Sequence, residues 1–446
     1  MLSLFDTARG AVVPLELRDP TAVSIYACGP TVYGPPHVGH GRMTLVFDVL
    51  RRYLTWSGLA VRFVSNVTDI DDKVIQRSRA EGLDWREVAR RYEVEWYGAM
   101  DALGVARPDA DPHATAYVGQ MVDLIGALVA DDVAYETTDG VYFESERVAG
   151  YGLLARQPLD SLRAGARVET VDDKRSPVDF ALWKKAKPDE PSWPSPWGDG
   201  RPGWHTECVV MALDLLGDSF DIHGGGQDLA FPHHENERAQ ALARGRPFAR
   251  HWVHNGFVEV AGEKMSKSLG NFTSLDDLIE WGDPRAYRLL VLQSHYRAPI
   301  EVSHQTMAAA GKALDRLDSF ARRFAAARAE GVDPDHEALD RFRDRMDDDL
   351  DTPAAMALLF DLVRRANSSG SAAAAAAAFA VTGAVGLALR TEVGAVDAEA
   401  LVMAGQRDEA RAGRDWARAD ALRDELVARG YEVTDTPEGT KVRPRA

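Results

Sequence analysis

Cysteine is nearly absent from this chain. Its 446 residues include two, Cys28 and Cys208, which excludes a disulfide-stapled scaffold. A basic excess is also absent: 52 lysines and arginines stand against 69 aspartates and glutamates, a formal net charge of −17. That excludes a generally basic nucleic-acid binder but leaves room for a local basic path, because phosphate contacts act through local charge. The N-terminus has no basic region followed by an apolar run, so no secretory signal is expected and a cytoplasmic location is. A convincing membrane span is missing too. The nearest stretch, Ala372–Leu389, is uncharged over 18 residues, but seven consecutive alanines with Thr382, Gly383 and Gly386 leave it weakly apolar. An Ala-rich, solvent-flanked helix is the expectation there.

What is present is an ordinary globular composition, 45% hydrophobic and 27% charged, in a chain too long for one core. Val23–Cys28 is a β-prone run ending at Gly29-Pro30. Arg42–Trp56 has Val46, Val49, Leu50 and Leu54 at helical spacing, and Leu59–Val64 reads as a second strand. Strand, turn, helix, strand is the opening of a parallel α/β sheet. Asp69–Arg79 and Trp85–Leu103 read as helices. From Pro108 to Pro202 proline and tryptophan become dense, around Trp183, Trp193, Pro194, Pro196 and Trp197, as in an insertion between two halves of a sheet. The sheet pattern resumes at Phe220–His223, followed by Gly224-Gly225-Gly226. A helix-rich zone follows from about 303 to 395, and the last fifty residues combine a charged helical hairpin with a strand-like Tyr431-Glu432-Val433. No tandem repeat occurs.

Two short segments carry nucleotide chemistry. Pro35-Pro36-His37-Val38-Gly39-His40 lies at the first strand-to-helix turn. A helix starting here aims free backbone N–H groups at an anion, and Gly39 permits close backbone approach. The plainer reading is two capping or core histidines. Lys264-Met265-Ser266-Lys267-Ser268 reads as a dibasic loop whose lysines suit the charge that develops on departing pyrophosphate; an exposed basic loop is the plain alternative.

Cys28 ends the first strand, and Cys208 follows Gly203-Trp204-His205-Thr206-Glu207. Downstream, Phe231-Pro232-His233-His234-Glu235-Asn236-Glu237 places His233 and Glu237 one helical turn apart. Cys28, Cys208, His233 and Glu237 make a four-ligand set of the kind zinc accepts. His234 competes with His233, and two buried thiols without a metal are the plain reading.

These residues resemble a known family over nearly the whole chain. Cys28-Gly29-Pro30-Thr31-Val32-Tyr33, His37–His40, Asn66–Lys73, Arg201–His205, Phe220–Gly226, Phe231–Glu237 and Lys264–Ser268 together resemble the cysteinyl-tRNA synthetases, class I aminoacyl-tRNA synthetases. Gly34 departs from the acidic residue common after Thr-Val-Tyr in that family. The resemblance implies a Rossmann-like parallel-sheet catalytic domain in two parts (1–112 and 203–302) around a connective insertion that meets the tRNA acceptor end (113–202). A helical bundle (303–395) and a small α+β anticodon-recognition domain (396–446) follow. It implies His37, His40, Lys264 and Lys267 as catalytic residues, with Gly39, Gly224 and Gly225 beside them at ATP and its Mg2+. It implies one zinc per chain on Cys28, Cys208, His233 and Glu237, which resolves the His233/His234 choice by analogy. Gly29, Thr31, Thr68, Trp204 and Asp228 are the implied amino-acid contacts, Asp228 pairing the substrate ammonium. Arg411, Trp416 and Asp420 match the family's anticodon-reading segment, although their charge pattern by itself suits an amphipathic helix with Trp416 packed inward.

The implied reaction is ATP-dependent attachment of L-cysteine to tRNA(Cys) through cysteinyl-adenylate, by an expected monomer. A zinc that prefers thiolate to hydroxyl would separate cysteine from serine, where a shape-selective pocket discriminates weakly. His205, His223 and His234 are candidates to take the thiol proton. A ligase that transfers the same adenylate to an amino-sugar amine, as in mycothiol synthesis, shares the catalytic half but needs no anticodon module. A catalytically dead zinc-stabilised RNA binder is disfavoured by the intact His37, His40, Lys264 and Lys267. A nucleotidylyltransferase leaves the distant Cys, His and Glu ligands unexplained.

Overall fold

The first strand, β1 (Ala22–Ala27), is buried along nearly its whole length, as a central parallel strand must be. The structure, a computed structural model, describes residues 2–157, 173–260, 263–264, 273–329, 331–391, 397–436 and 439–444. Three more strands, β2 (Ala60–Val64), β3 (Phe220–Gly226) and β4 (Ala249–Asn255), join β1 in the order β4-β3-β1-β2, all parallel. Helix α1 (Val38–Trp56) crosses from β1 to β2, α2 (Trp204–Leu215) precedes β3, and α3 (Glu235–Ala243) connects β3 to β4. The chain moves outward one way from β1 and the other way from β3. The switch point between them is where a doubly wound sheet opens a crevice at its carboxyl ends.

Both early strands lie where the β-prone runs place them, but helix starts differ from expectation. The first helix begins at Val38 rather than Arg42, because His37 caps it. The next begins at Asp72 rather than Asp69, because the Asp71 side chain accepts the Lys73 N–H. Gly224–Gly226 prove to be the end of β3, and a Cβ on Gly224 would fall 2.1 Å from the Phe47 ring of α1. Glycine there lets α1 lie against the sheet.

Between the two halves of the sheet, helix Val118–Ala130 packs beside an antiparallel sheet of Ala134–Glu136, Gly140–Phe143, Phe180–Lys185 and Gly200–Pro202. Its tryptophans are core: Trp183 is fully buried and Trp197 packs against it, ring centroids 6.3 Å apart. Helices His304–Arg323, His336–Asp347, Thr352–Ser369 and Ala372–Ala384 follow. The Ala-rich helix is not solvent-flanked. Ala374, Ala375, Ala377 and Ala378 are fully buried in the main core, where small side chains let neighbouring helices approach. Among the described residues no helix is long and apolar enough to cross a membrane. The chain ends in helices Ala398–Ala412 and Trp416–Ala428 and a hairpin of Tyr431–Thr436 with Gly439–Pro444, around a small core of Ala400, Met403, Ala404, Leu426, Tyr431 and Val442.

Candidate functional site

A histidine pair opens the helix that follows β1, and two thiols lie together, one at the end of β1 and one on α2. His37 has extended backbone and caps α1: its Nδ1 accepts the His40 N–H at 3.3 Å, and its own N–H donates to His40 Nδ1 at 3.3 Å. The two rings stack with centroids 3.5 Å apart, and Gly39 sits between them in the first turn. The capping reading of these histidines is therefore realised, and it also sets both imidazoles at the helix end that favours anions. Backbone bonds tie this turn to a distant segment. Val38 N–H donates to Thr273 O at 3.2 Å, and Leu275 N–H donates to Pro36 O at 2.9 Å. Lys264 ends the short strand Glu263–Lys264, paired with Val258–Val260. Lys267 lies outside the described residues. Gly225 stands under the turn after β3, where a Cβ would meet Leu229 at 2.8 Å.

The four expected metal ligands come from four places in the chain: the end of β1, the middle of α2, the turn before α3, and its first helical turn. All are nearly or fully buried. Cys28 Sγ lies 3.9 Å from Cys208 Sγ and 3.6 Å from Glu237 Oε1; His233 Nε2 lies 3.6 Å from Cys208 Sγ and 2.9 Å from Glu237 Oε1. Their donor atoms fall within 4.8 Å of one another, as do those of an overlapping set, Cys28, His223, His234 and Glu237. Partners behind each donor distinguish the sets. His205 Nδ1 meets His233 Nδ1 at 2.9 Å, leaving His233 Nε2 toward the cluster, and His223 Nε2 holds Glu237 Oε2 at 2.6 Å, leaving Oε1 inward. Backing of this kind orients metal ligands. In the first set His223 is such a support. In the second it would itself be a ligand, and its Nδ1 is buried without a partner among the described residues.

Electrostatics follow the packing. Burial raises the Cys28 thiol well above its usual range. Burial also works to raise Cys208, but hydrogen bonds with Cys28 and His233 outweigh it and bring that thiol down to about 6. Burial opposes charge on His233, yet Glu237 and Cys208 raise it to about 10. Burial likewise opposes the Glu237 carboxylate, and His223 and His233 overcome it, lowering it to about 2. Around this charged centre, burial keeps His205 and His234 neutral and lowers His254 to about 3. Cys208 and Glu237 are thus held anionic, whereas Cys28 and His233 keep protons that a divalent cation would have to displace.

Beside the cluster opens a cavity of about 1080 Å³, with Trp204, His205, Phe231, Asn236 and His254 on its wall. Trp204 is 38% exposed and stacks on the His233 ring at 4.0 Å, so it stands between the cavity and the cluster. Gly29 donates its N–H to Asn66 Oδ1 at 2.9 Å, and a Cβ there would strike the Asn66 carbonyl oxygen at 1.7 Å. Thr31 bridges to Thr68 through backbone. The Thr68 hydroxyl is buried and committed: it donates to Glu207 Oε1 at 2.5 Å and accepts from Asn66 Nδ2 at 3.1 Å. Asp228 is exposed in the turn Gln227–Leu229, off the cavity wall.

The three residues expected at the anticodon are not brought together by direct contact. Arg411 closes the helix Ala398–Ala412 and pairs with Asp435 at 2.6 Å. Trp416 opens the next helix, 60% exposed rather than packed inward, with exposed Asp420 one turn later on the same face. Sequence reasoning missed His254, whose Nε2 meets His234 Nδ1 at 2.8 Å and whose Nδ1 meets Thr7 Oγ1 at 2.7 Å. Only the pairing of His254 with Gly225 across β4 and β3 brings it there.

Comparison with known proteins agrees with this arrangement. The family model for the class I (C) tRNA synthetase catalytic domain matches residues 14–312, and the DALR domain model matches 341–385. Proteins named cysteine–tRNA ligase align along both chains: one from Chromobacterium violaceum is 43% identical over 99% of each, and one from Halorhodospira halophila 44% over 99% of each. Among solved structures, Mycobacterium tuberculosis methionyl-tRNA synthetase with methionyl-adenylate shares the fold at a TM-score of 0.60 and 17% identity, over 82% of this chain and 89% of that one. The leucyl enzyme in a ternary complex from Agrobacterium radiobacter does so at 0.61 and 12%, over 84% and 85%. On its sequence, fold and site together, the chain belongs to the cysteine–tRNA ligase family of class I aminoacyl-tRNA synthetases.

Proposed function

We propose that this chain uses ATP with Mg2+ to activate L-cysteine and attaches it to tRNA(Cys), with zinc held by Cys28, Cys208, His233 and Glu237. The observation that carries the reading is the convergence of those four side chains, each backed or contacted by a further polar group, in a sheet whose first crossover helix opens with a capped histidine turn. Two sulfurs, one imidazole and one carboxylate fit zinc. When bound, the ion supplies a soft Lewis acid that takes a thiolate in preference to a hydroxyl.

The chain's own residues do the rest. The cysteine carboxylate attacks the α-phosphorus of ATP; the new O–P bond forms as the α–β anhydride bond breaks and pyrophosphate leaves. His37 and His40, at the positive end of α1, are assigned to the phosphate charge that moves in this step, together with the lysines Lys264 and Lys267 of the dibasic segment. Gly39 lets backbone approach the nucleotide, while the space left by Gly224 and Gly225 is filled by Phe47 and by Leu229. The terminal ribose hydroxyl of the tRNA then attacks the carbonyl, and AMP leaves. Trp204 walls the amino-acid cavity above His233. Gly29, Thr31 and Thr68 shape the strand ends beside it, Thr68 by holding Glu207 rather than through a free hydroxyl. Asp228 would have to turn inward to meet the substrate ammonium. His223 and His234 act as supports to Glu237 and Cys28, and His205 as the support to His233. Residues 113–202 are assigned to the acceptor end, and 396–446, with Arg411, Trp416 and Asp420, to the anticodon. The amino-sugar ligase reading does not account for the exposed Trp416 or for relatives that align through the tail.

ATP–pyrophosphate exchange with cysteine and serine in parallel, followed by charging of tRNA(Cys), tests the reading. Cysteine-dependent exchange with little from serine supports it. Equal exchange with both amino acids contradicts the zinc assignment, and adenylate formation without tRNA charging contradicts the acceptor.

A further inference from the structure

We propose that Arg42 is a positioning residue of the nucleotide site: its buried guanidinium fixes the root of the paired strands Val258–Val260 and Glu263–Lys264 against the first turns of α1. The proposal rests on the reading of the His37–His40 turn as the place where ATP binds. Arg42 is 1% exposed, and among the described residues no carboxylate is its partner. A buried cation without a counter-ion is costly unless dipoles replace the lost water. Here backbone carbonyls do so for Nη1 and Nη2, while the buried Nε has no partner among the described residues. Nη1 donates to Phe257 O at 2.5 Å, and Nη2 donates to Tyr296 O at 3.1 Å, to His295 O at 3.4 Å and to Ala298 O. Burial lowers the guanidinium only to about 10, so it stays charged. Four acceptors on two segments suit a planar fork of donors, which an ammonium cannot reproduce.

The joint lies between the two nucleotide elements. Arg42 follows His40 by two residues in α1. Phe257 O also accepts the Ile300 N–H at 3.0 Å, and Val258–Val260 then pairs with Ile300–Glu301 on one side and Glu263–Lys264 on the other. Gly256 keeps the joint tight: its N–H donates to Tyr296 O at 2.8 Å, and a Cβ there would fall 2.4 Å from Arg297 O and 2.8 Å from Ala298 O. On the opposite flank, the Tyr287 hydroxyl donates to Val38 O at 2.6 Å, beside the backbone bonds to Thr273 and Leu275. The placement of the Lys264 backbone relative to the imidazole pair therefore passes through the Arg42 joint.

The test uses full-length, zinc-loaded enzyme and three variants: Arg42→Lys, Arg42→Met and Gly256→Ala. Gly256→Ala displaces the same joint while leaving the guanidinium in place, and it answers the question if Arg42→Met fails to fold. Each folded variant is measured for melting temperature, zinc content, cysteine KM, ATP KM and maximal pyrophosphate-exchange rate. The expected result is a loss of about 100-fold in maximal rate for Arg42→Lys and Gly256→Ala, the scale of a misplacement near 1 Å. Cysteine KM and zinc content stay at wild-type values. Variants that exchange at the wild-type rate overturn the proposal, and so does a parallel loss of rate, cysteine KM and zinc, which marks a merely structural arginine. If the wild-type enzyme itself shows no cysteine-dependent exchange, the nucleotide-site reading falls first.

Discussion

The metal-capable cluster and the C-terminal unit solve opposite problems. At the cluster every donor is buried and held by at least one other polar side chain, so chemistry proceeds with groups already oriented and little water to screen them. In residues 397–444 the assigned readers stand on short helices over a small core, with Trp416 60% exposed and Asp420 in solvent. A thiolate must be chosen in a dry site, because only there does donor chemistry outweigh hydration. A base is read at an open surface, because the ring must be free to stack. On the proposed function, one region would gain specificity from enclosure and the other from exposure.

The largest effect that would break this contrast is at Cys208. Cys208→Ser is expected to lose stoichiometric zinc and to lower cysteine-dependent exchange by about 1000-fold, the upper range for removing an essential electrostatic group. Elemental analysis of dialysed protein and exchange assays, run beside the wild type, check it. Full zinc retention in the variant would sink the ligand assignment.

Removing the C-terminal unit should separate the regions cleanly. Its core is made of its own residues, so a chain ending near residue 395 is expected to keep exchange and lose most tRNA charging. Unchanged charging by the truncated chain would reject the anticodon assignment and strengthen the amino-sugar alternative.

A subtler test of enclosure is His205→Ala, which removes the support behind His233 Nδ1 but no ligand. Zinc affinity should fall about 10–100-fold, as is usual when such a partner is lost. Competition with a chelator measures this, and an unaltered affinity would mean that His205 does not orient His233. The smallest effect belongs to Trp416→Ala, expected to weaken tRNA binding by about 1–3 kcal/mol, the value of one stacked base, with exchange unchanged. Equal kcat/KM for tRNA in wild type and variant would show that the exposed ring reads nothing.

Much of the site was legible because its signals are local. A strand followed by Pro-Pro-His-Val-Gly-His marks a helix start, and His233 and Glu237 one turn apart share a face whichever fold surrounds them. What stayed illegible depended on neighbours. The open competition between His233 and His234 is sharpened only when His205 and His254 are seen behind the two rings. The Ala-rich helix carries no pattern that marks a face, since alanine suits solvent and tight packing alike, so its burial was invisible. The charge pattern around Trp416 suited an inward ring, but the ring is 60% exposed and outside the small core of that unit.

The amino-acid sequence by itself therefore determined the order of the elements and the parallel sheet, which follow from spacing along strands and helices, and it offered two nucleotide segments and four candidate ligands, with His233 preferred to His234 only through the family resemblance. The tertiary structure decided which imidazoles support the donors, that Thr68 holds Glu207, that Asp228 lies off the cavity, and that Arg42 joins α1 to a distant pair of strands. Those contacts link residues separated by tens to hundreds of positions. Side-chain spacing carries no record of such pairings; they exist only once strand register and helix packing bring the partners within hydrogen-bond reach.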